Sequence, residues 1–173
     1  MGLQGKRVAI LVDQQYQELE VWYPYYRLIE EGAAVELVGP EAGQEYPSKL
    51  GYPCQSTISA EAAIAARFDA AIVPGGWCPD FMRRDERMIE LIQKMAADRI
   101  VLAAICHGPW MLCCTDALKG KRATSFMAIK HDMLNAGAEW VDEACVVDGN
   151  VITSRTPDDL PAFCKAIIEA LGG

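Results

Sequence analysis

Cys106 and His107 are adjacent in the stretch Ile105-Cys-His-Gly-Pro109, which joins an apolar run over 100–105 to an amphipathic segment. This pattern predicts a strand, a sharp turn and a helix. Ligands bind at the carboxyl ends of strands in doubly wound sheets, so the turn places Cys106 at a functional edge. A helix N-terminus also lowers the pKa of a nearby thiol. We therefore interpret Cys106 as a candidate nucleophile on a turn that resembles the nucleophile elbow of hydrolases.

A buried structural role is the alternative for Cys106, because free cysteines usually behave as small hydrophobic residues. The adjacent histidine and the helix start together favour chemistry instead. Neither feature accompanies the other six cysteines. Cys113 and Cys114 lie within the predicted helix, and no base is next in sequence to Cys54, Cys78, Cys145 and Cys164.

Two further features are predicted at the same sheet edge. Gly75 and Gly76 follow an apolar run and give the backbone the freedom to point N–H groups at a developing oxyanion. A glycine pair is also common in ordinary turns, so alone it is weak support. Glu20 follows the first predicted strand, where its carboxyl could hydrogen-bond the sulfur of Cys106. A solvated carboxylate at a helix start is the competing interpretation of Glu20.

Short apolar runs alternate with segments of helical periodicity along the chain, which predicts a doubly wound α/β fold with a mainly parallel sheet. The predicted strands cover 6–12, 34–38, 68–74 and 99–105, and the predicted helices cover 19–31, 59–66, 80–97 and 107–118. Asp148-Gly149 between two β-branched runs indicates an antiparallel hairpin. Asp158 is the expected N-cap of the last helix, with Pro161 in its first turn.

Composition sets further limits. The 173 residues fit one domain, 1–173, and a net charge of −8 disfavours nucleic acid as a partner. No apolar run is long enough to span a membrane, and the run of five apolar residues near the N-terminus is too short for a secretory signal. We expect a cytoplasmic protein. Seven cysteines without a C-x-x-C pair predict free thiols, no metal and no cofactor.

The stretch Ala-Ile-Cys106-His107-Gly-Pro resembles that of the PfpI intracellular-protease-like proteins. These belong, with the Parkinson-disease protein deglycase, to the class I glutamine amidotransferase-like superfamily. Further matching stretches occur in the family's order: Pro74-Gly-Gly, Pro79-Asp80, Asn135-Ala-Gly-Ala-Glu-Trp140, Val146-Val-Asp-Gly149 and Ser154-Arg-Thr-Pro-Asp-Asp-Leu160. The resemblance implies a flavodoxin-like three-layer sandwich.

The resemblance also implies roles for particular residues. Cys106 is the nucleophile and His107 its base, and Gly76 with the backbone of His107 forms the oxyanion hole. Glu20 matches a protonated carboxyl that contacts the cysteine sulfur. Asp80 falls on the family's third acid, which a neighbouring subunit contributes. The implied assembly is a homodimer or a higher homo-oligomer with a shared active site.

Two positions depart from the family's pattern. Gln17 stands in an acidic run of the family, and an amide cannot donate a proton as an acid does. Phe126 occupies a position where the Parkinson-related branch has a histidine, so His107 must serve as the base. The second departure favours the PfpI branch.

The predicted function is a stress-protective cysteine hydrolase that acts on small reactive carbonyls or glycated substrates, as a deglycase or a glyoxalase III-like enzyme. One alternative is a redox-sensing or chaperone-like protein in which Cys106 is oxidised. A weaker alternative is an intracellular cysteine peptidase. Catalytic proton transfer requires His107, whereas stabilisation of an oxidised sulfur does not.

Overall fold

The computed structural model describes residues 2–173. Its strands are β1 (Arg7–Leu11), β2 (Ala34–Gly39), β3 (Glu45–Pro47), β4 (Pro53–Gln55), β5 (Ile58–Ser59), β6 (Ala70–Val73), β7 (Val101–Ile105), β8 (Arg122–Ala123), β9 (Glu139–Trp140), β10 (Cys145–Asp148) and β11 (Val151–Ser154). Its α-helices are α1 (Glu18–Glu30), α2 (Ala60–Ile64), α3 (Cys78–Met82), α4 (Glu86–Ala97), α5 (Pro109–Leu112), α6 (Lys130–Asn135) and α7 (Leu160–Ala170).

The central sheet has seven strands in the order β10-β11-β7-β6-β1-β2-β5. Every neighbouring pair is parallel except β10 and β11, which form the predicted hairpin. Helix α1 packs against α7, while α2 and α5 pack against α4. The two groups of helices cover the sheet and give the flavodoxin-like three-layer sandwich. The predicted fold class is confirmed.

The central strands are buried because both faces of the sheet are covered. All four residues of β6 are buried, and β7 is buried from Leu102 to Ile105. Such strands read as continuous apolar runs, which is why they could be located from sequence. None of the helices in residues 2–173 has the length and apolar character needed to cross a membrane.

Two predicted helices are shorter than expected. The segment 80–97 is divided into α3 and α4, since Asp85 adopts an extended conformation and its carboxylate accepts a hydrogen bond from the N–H of Arg87. This is an N-cap, so a new helix begins there. The segment 107–118 retains only the short helix α5. The hydroxyl of Thr115 donates to the carbonyl of Leu112 at 2.7 Å, a local bond that competes with continuation of the helix.

The prediction for the start of the last helix was also wrong by one residue. A 3₁₀ turn over Pro157–Asp159 precedes α7, and Asp159, not Asp158, occupies the N-cap position. The carboxylate of Asp159 accepts hydrogen bonds from Arg155 instead of capping the helix. Pro161 lies in the first turn as predicted.

Candidate active site

The turn after β7 holds Cys106 in the left-handed region, with φ of 62°. A non-glycine residue there costs roughly 1–2 kcal/mol, so the surrounding structure must impose the conformation. Its N–H donates to the carbonyl of Ser154 at 3.0 Å, and the N–H of Gly108 donates to that of Ile105 at 2.8 Å. A Cβ on Gly108 would lie 2.2 Å from the carbonyl oxygen of Val73. Only glycine permits this tight elbow.

The imidazole of His107 lies beside the thiol. Its Nδ1 is 3.4 Å from Sγ of Cys106, within reach of a thiol that donates to nitrogen. Burial lowers the pKa of His107, and the positive charge of Lys49 lowers it further. A neutral imidazole that accepts at Nδ1 carries its proton on Nε2. His107 can therefore act as a base toward Cys106 while Nε2–H remains free to meet another group.

Glu20 is fully buried at the same edge. One carboxyl oxygen, Oε2, accepts a hydrogen bond from the N–H of Gly75 at 2.6 Å, while Oε1 is buried with no hydrogen-bond partner in residues 2–173. Burial raises the pKa of Glu20 to about 7, although the bond from Gly75 and the neighbouring Cys106 thiol oppose that rise. Below about pH 7 the carboxyl therefore mostly holds its proton and is available to donate a hydrogen bond.

The expectation that a helix dipole lowers the pKa of Cys106 was wrong. Burial raises the pKa of this thiol, and a negative charge on Glu20 raises it further. Helix α5 has only four residues, so its dipole is small. The second cause disappears when Glu20 is protonated. Because its pKa is raised, Cys106 rests as a neutral thiol at neutral pH. It would lose its proton to His107 only as it reacts.

The glycine turn after β6 closes the opposite side of the site. A Cβ on Gly75 would lie 2.8 Å from the Cβ of Cys106, from Oε2 of Glu20 and from the N atom of His107. Gly76 has φ of 73°. The main-chain N–H groups of Gly76 and His107 lie near the sulfur of Cys106 and oppose part of the rise in its pKa. The predicted glycine pair therefore lies directly against the cysteine.

We expect Gly75→Ala to destabilise the fold by about 1–3 kcal/mol, because three groups crowd the added methyl. The same change is expected to slow alkylation of Cys106 by displacing Glu20 and the elbow. Urea unfolding and iodoacetamide labelling measure the two effects. Gly51→Ala is the control, since its Cβ meets open space and introduces only the strain of a positive φ. Equal effects of the two substitutions on the alkylation of Cys106 would contradict the close packing at Gly75.

Asp80 does not reach His107 within one chain. It lies in the first turn of α3 and forms an ion pair with Arg84, one helical turn later. Its side chain is 49% exposed. This position is consistent with either an ordinary surface carboxylate or an acid presented to a second copy of the chain. The intersubunit role of Asp80 stays a prediction.

Gln17 has a role that the sequence comparison with the family's acidic run did not identify. Its Oε1 accepts a hydrogen bond from the N–H of Glu20 at 3.0 Å, so the side chain caps α1. An amide oxygen serves this purpose without ionising. Gln17 therefore helps to fix the residue whose carboxyl approaches Cys106. Its polar side chain directly before a helical pattern was the sequence signal.

Aromatic residues around His107 were also missed. The ring centroids of Trp77, Trp110 and Phe126 lie 5.6, 5.2 and 5.1 Å from that of His107. Trp77 and Phe126 come from separate segments, so no local spacing connects them to His107, whereas Trp110 follows His107 by three residues. Lys49 was missed for the same reason, although its charge acts on both His107 and Glu20.

All seven cysteines are free in the structure. Cys78 is completely buried and its sulfur accepts a hydrogen bond from the N–H of Asp13 at 3.1 Å. Burial raises the pKa of Cys54 to about 11. Within residues 2–173, no cluster of three or more histidine, cysteine or acidic side chains could hold a metal ion.

The sandwich and the cysteine elbow define an α/β protein with a free thiol at the carboxyl edge of a parallel sheet. The model of the DJ-1/PfpI family matches residues 6–170, and the chain belongs to this family. The resemblance seen in the sequence is confirmed.

A curated relative and two solved structures illustrate the similarity. A protein of Pyrococcus abyssi named as a deglycase is 40% identical over 165 residues, which cover 95% of this chain and 99% of the relative. A two-domain protein of Anabaena variabilis, with DJ-1/ThiJ/PfpI-like and ferritin-like domains, has a TM-score of 0.92 and 43% identity. The match covers 96% of this chain but 48% of that one. Drosophila melanogaster DJ-1β has a TM-score of 0.90 and 26% identity, with 97% and 91% of the two chains covered.

Proposed function

We propose that this chain is a cysteine-dependent enzyme that converts reactive 2-oxoaldehydes, or their adducts with amines and thiols, to 2-hydroxy acids. The observation that carries the proposal is the elbow thiol of Cys106, 3.4 Å from Nδ1 of a neutral His107 and next to backbone N–H donors. The deglycase name of the Pyrococcus abyssi relative supports the same class of substrate.

The first step forms a carbon–sulfur bond. His107 accepts the thiol proton at Nδ1 as Sγ of Cys106 attacks the aldehyde carbon. The carbonyl oxygen gains the negative charge, and the N–H groups of Gly76 and His107 are suited to stabilise it. Transfer of the proton from His107 to this oxygen gives a hemithioacetal. With an amine adduct, sulfur displaces the amine and the same hemithioacetal forms.

The second step moves hydrogen within the substrate. Neutral His107 removes the proton from the carbon that bears sulfur and returns it to the neighbouring carbon. The hydroxyl proton of the first carbon passes to the neighbouring oxygen, so the first carbon gains a carbonyl and its neighbour a hydroxyl. The product is a thioester of a 2-hydroxy acid. Water then cleaves the thioester and restores the thiol. One carbon is oxidised and its neighbour reduced, so the overall reaction adds one water and needs no external oxidant.

Glu20 assists by staying protonated. Its neutral carboxyl can donate a hydrogen bond to the sulfur as negative charge develops there, whereas an ionised carboxylate would repel that charge. The fully buried position and the bond from Gly75 keep the carboxyl oriented. The pKa of the Cys106 thiol therefore depends on pH through the protonation of Glu20.

The test is formation of a defined product. Methylglyoxal, its hemithioacetal with a small thiol and its aminocarbinol with an amino acid are each incubated with the protein, and lactate is quantified by chromatography. We expect lactate from at least one of them, with release of the free amine from the aminocarbinol. The heat-denatured protein is the control. Absence of lactate from all three substrates would contradict the proposed reaction.

One observation favours redox sensing as a second function. Oε1 of Glu20 is buried without a partner, and a protonated carboxyl there could donate to an oxygen of a Cys106 sulfinic acid. Replacement of His107 by glutamine separates the two functions. It is expected to abolish lactate formation but to leave peroxide oxidation of Cys106, measured by intact mass, in place.

A further inference from the structure

Trp77 has an exposed side chain that the fold does not require. Its N–H donates to the carbonyl of Gln15 at 2.9 Å, and its carbonyl accepts from the N–H of Asp80 at 3.0 Å. The main chain is therefore fixed on both sides. The residue remains 52% exposed, and its indole makes no hydrogen bond within residues 2–173. Little of the stability of the fold depends on this ring.

The indole nevertheless borders the reactive groups. Trp77 follows Gly76 directly, and its ring centroid is 5.6 Å from that of His107. Phe126 lies 5.1 Å from the same imidazole, and its N–H donates to the carbonyl of Cys106 at 2.9 Å. Met127, the next residue, is 74% exposed. The imidazole beside the sulfur is thus flanked by the flat, apolar rings of Trp77 and Phe126.

Charge at this approach is limited. Lys49 is the one charged group of the described chain that shifts the pKa of His107. Its ammonium forms no ion pair within residues 2–173, so it is available to the carboxylate of a 2-hydroxy acid product. The rings of Trp77 and Phe126 therefore favour binding of an uncharged substrate with an apolar substituent over binding of a substrate with an additional negative group.

On the basis of the function proposed above, we propose that Trp77 determines specificity, and that the site prefers 2-oxoaldehydes with an aryl or similarly flat apolar substituent. Such a group can stack on the exposed indole while the aldehyde carbon meets Sγ of Cys106. Aromatic contacts contribute about 0.5–1.5 kcal/mol, equivalent to roughly a two- to tenfold preference. A methyl substituent gains little from the same ring.

The experiment compares kcat/KM for phenylglyoxal and methylglyoxal. We expect Trp77→Ala to lower the value for phenylglyoxal about fivefold and to leave that for methylglyoxal within about twofold. Trp77→Phe is expected to retain most of the preference. Val147→Ala, which truncates another exposed hydrophobic side chain on the edge strand β10, is the control and should leave both values unchanged.

Each other outcome has a definite meaning. Equal losses for the two substrates would show that Trp77 only positions His107, and an unchanged ratio would exclude a substrate contact; either result overturns the inference. A change in mass by light scattering for Trp77→Ala would identify a subunit contact instead and would also overturn it.

Binding of products separates this inference from the proposed function. By calorimetry, we expect mandelate to bind the wild-type protein more tightly than lactate does, and Trp77→Ala to remove the difference. This measurement does not need turnover. Failure of both substrates to react would contradict the proposed function, whereas equal binding of mandelate and lactate would contradict the role of Trp77.

Discussion

The Cys106→Ala protein is expected to lose at least about a thousandfold in turnover of its carbonyl substrate, because within residues 2–173 none of the other six thiols lies within hydrogen-bond distance of His107. Asp80→Asn is expected to lower turnover about a hundredfold if Asp80 of a second copy orients Nε2–H of His107. Loss of stability would not explain the second effect. Asparagine is well tolerated at helix starts, and the exposed Asp80–Arg84 pair contributes only about 0–1 kcal/mol.

A mixture of these two impaired proteins is expected to be more active than either protein alone. Random exchange between dimers places a wild-type Cys106 and a wild-type Asp80 together in about one quarter of the sites. Activity is followed after mixing under conditions that allow subunit exchange, with mixed assemblies identified by native mass spectrometry. Asp98→Asn is the matched single-substitution control, since Asp98 also pairs with a cation one helical turn away. It should be fully active alone.

Three results would contradict the shared site. Mixed assemblies that form but stay inactive would exclude contribution of Asp80 from a second copy. A fully active Asp80→Asn protein would remove Asp80 from the mechanism and leave it as a first-turn carboxylate. A protein that is monomeric by light scattering at micromolar concentration would exclude both the shared site and the predicted homo-oligomer.

Glu20→Gln is expected to change the pH dependence of folding. The pKa of Glu20 is about 7 in the folded protein, against 4.5 as its ordinary value. The folded state therefore binds more protons between these values, and the contribution of Glu20 to stability falls as pH rises through this range. The change approaches about 3 kcal/mol. As pH rises from 4.5 to 8, the free energy of unfolding of the glutamine variant should therefore increase by about 3 kcal/mol relative to that of the wild type.

The measurement is urea unfolding of both proteins at several pH values. Comparison of the two removes the opposite contribution of His107, whose pKa is lowered and whose stabilising effect is lost as pH falls. Glu18→Gln is the control on the same helix. Burial acts to raise the pKa of Glu18, but bonds from Ser48 and Leu50 hold it below its ordinary value. The contribution of Glu18 to the free energy of unfolding therefore changes with pH only below about 4.5. If Glu20→Gln leaves the pH dependence of the free energy of unfolding unchanged, the raised pKa of Glu20 is contradicted.

The sequence predicted those parts of the fold that depend on burial and on turn chemistry. The strand ending at Ile105 and the hairpin at Gly149 follow from unbroken apolar runs and from a glycine suited to a positive φ. The lengths of helices were less predictable. The break at Asp85 and the end of α5 depend on individual side-chain hydrogen bonds, which interrupt a helical pattern that is otherwise continuous.

The candidate site was predictable to a similar extent. The structure brings Cys106, His107, Glu20 and the glycine turn together at one sheet edge, as the order of strands requires. The pKa of Cys106 was not predictable, because it depends on how deeply the elbow is buried and on the charge of a carboxyl from another segment. The ring of Trp77 against His107 likewise arises from a contact between two segments that no local pattern contains.

The left-handed backbone conformation of Cys106 lowers the stability of the fold but places the thiol at the sheet edge. Glycine would adopt φ of 62° without the steric penalty that a side chain incurs. Selection for thermal stability alone therefore favours replacement of Cys106 by glycine, while selection for the proposed chemistry retains a residue that the fold tolerates poorly. A screen for thermostable variants therefore needs a parallel assay of activity, because a variant stabilised at position 106 can be folded but inactive.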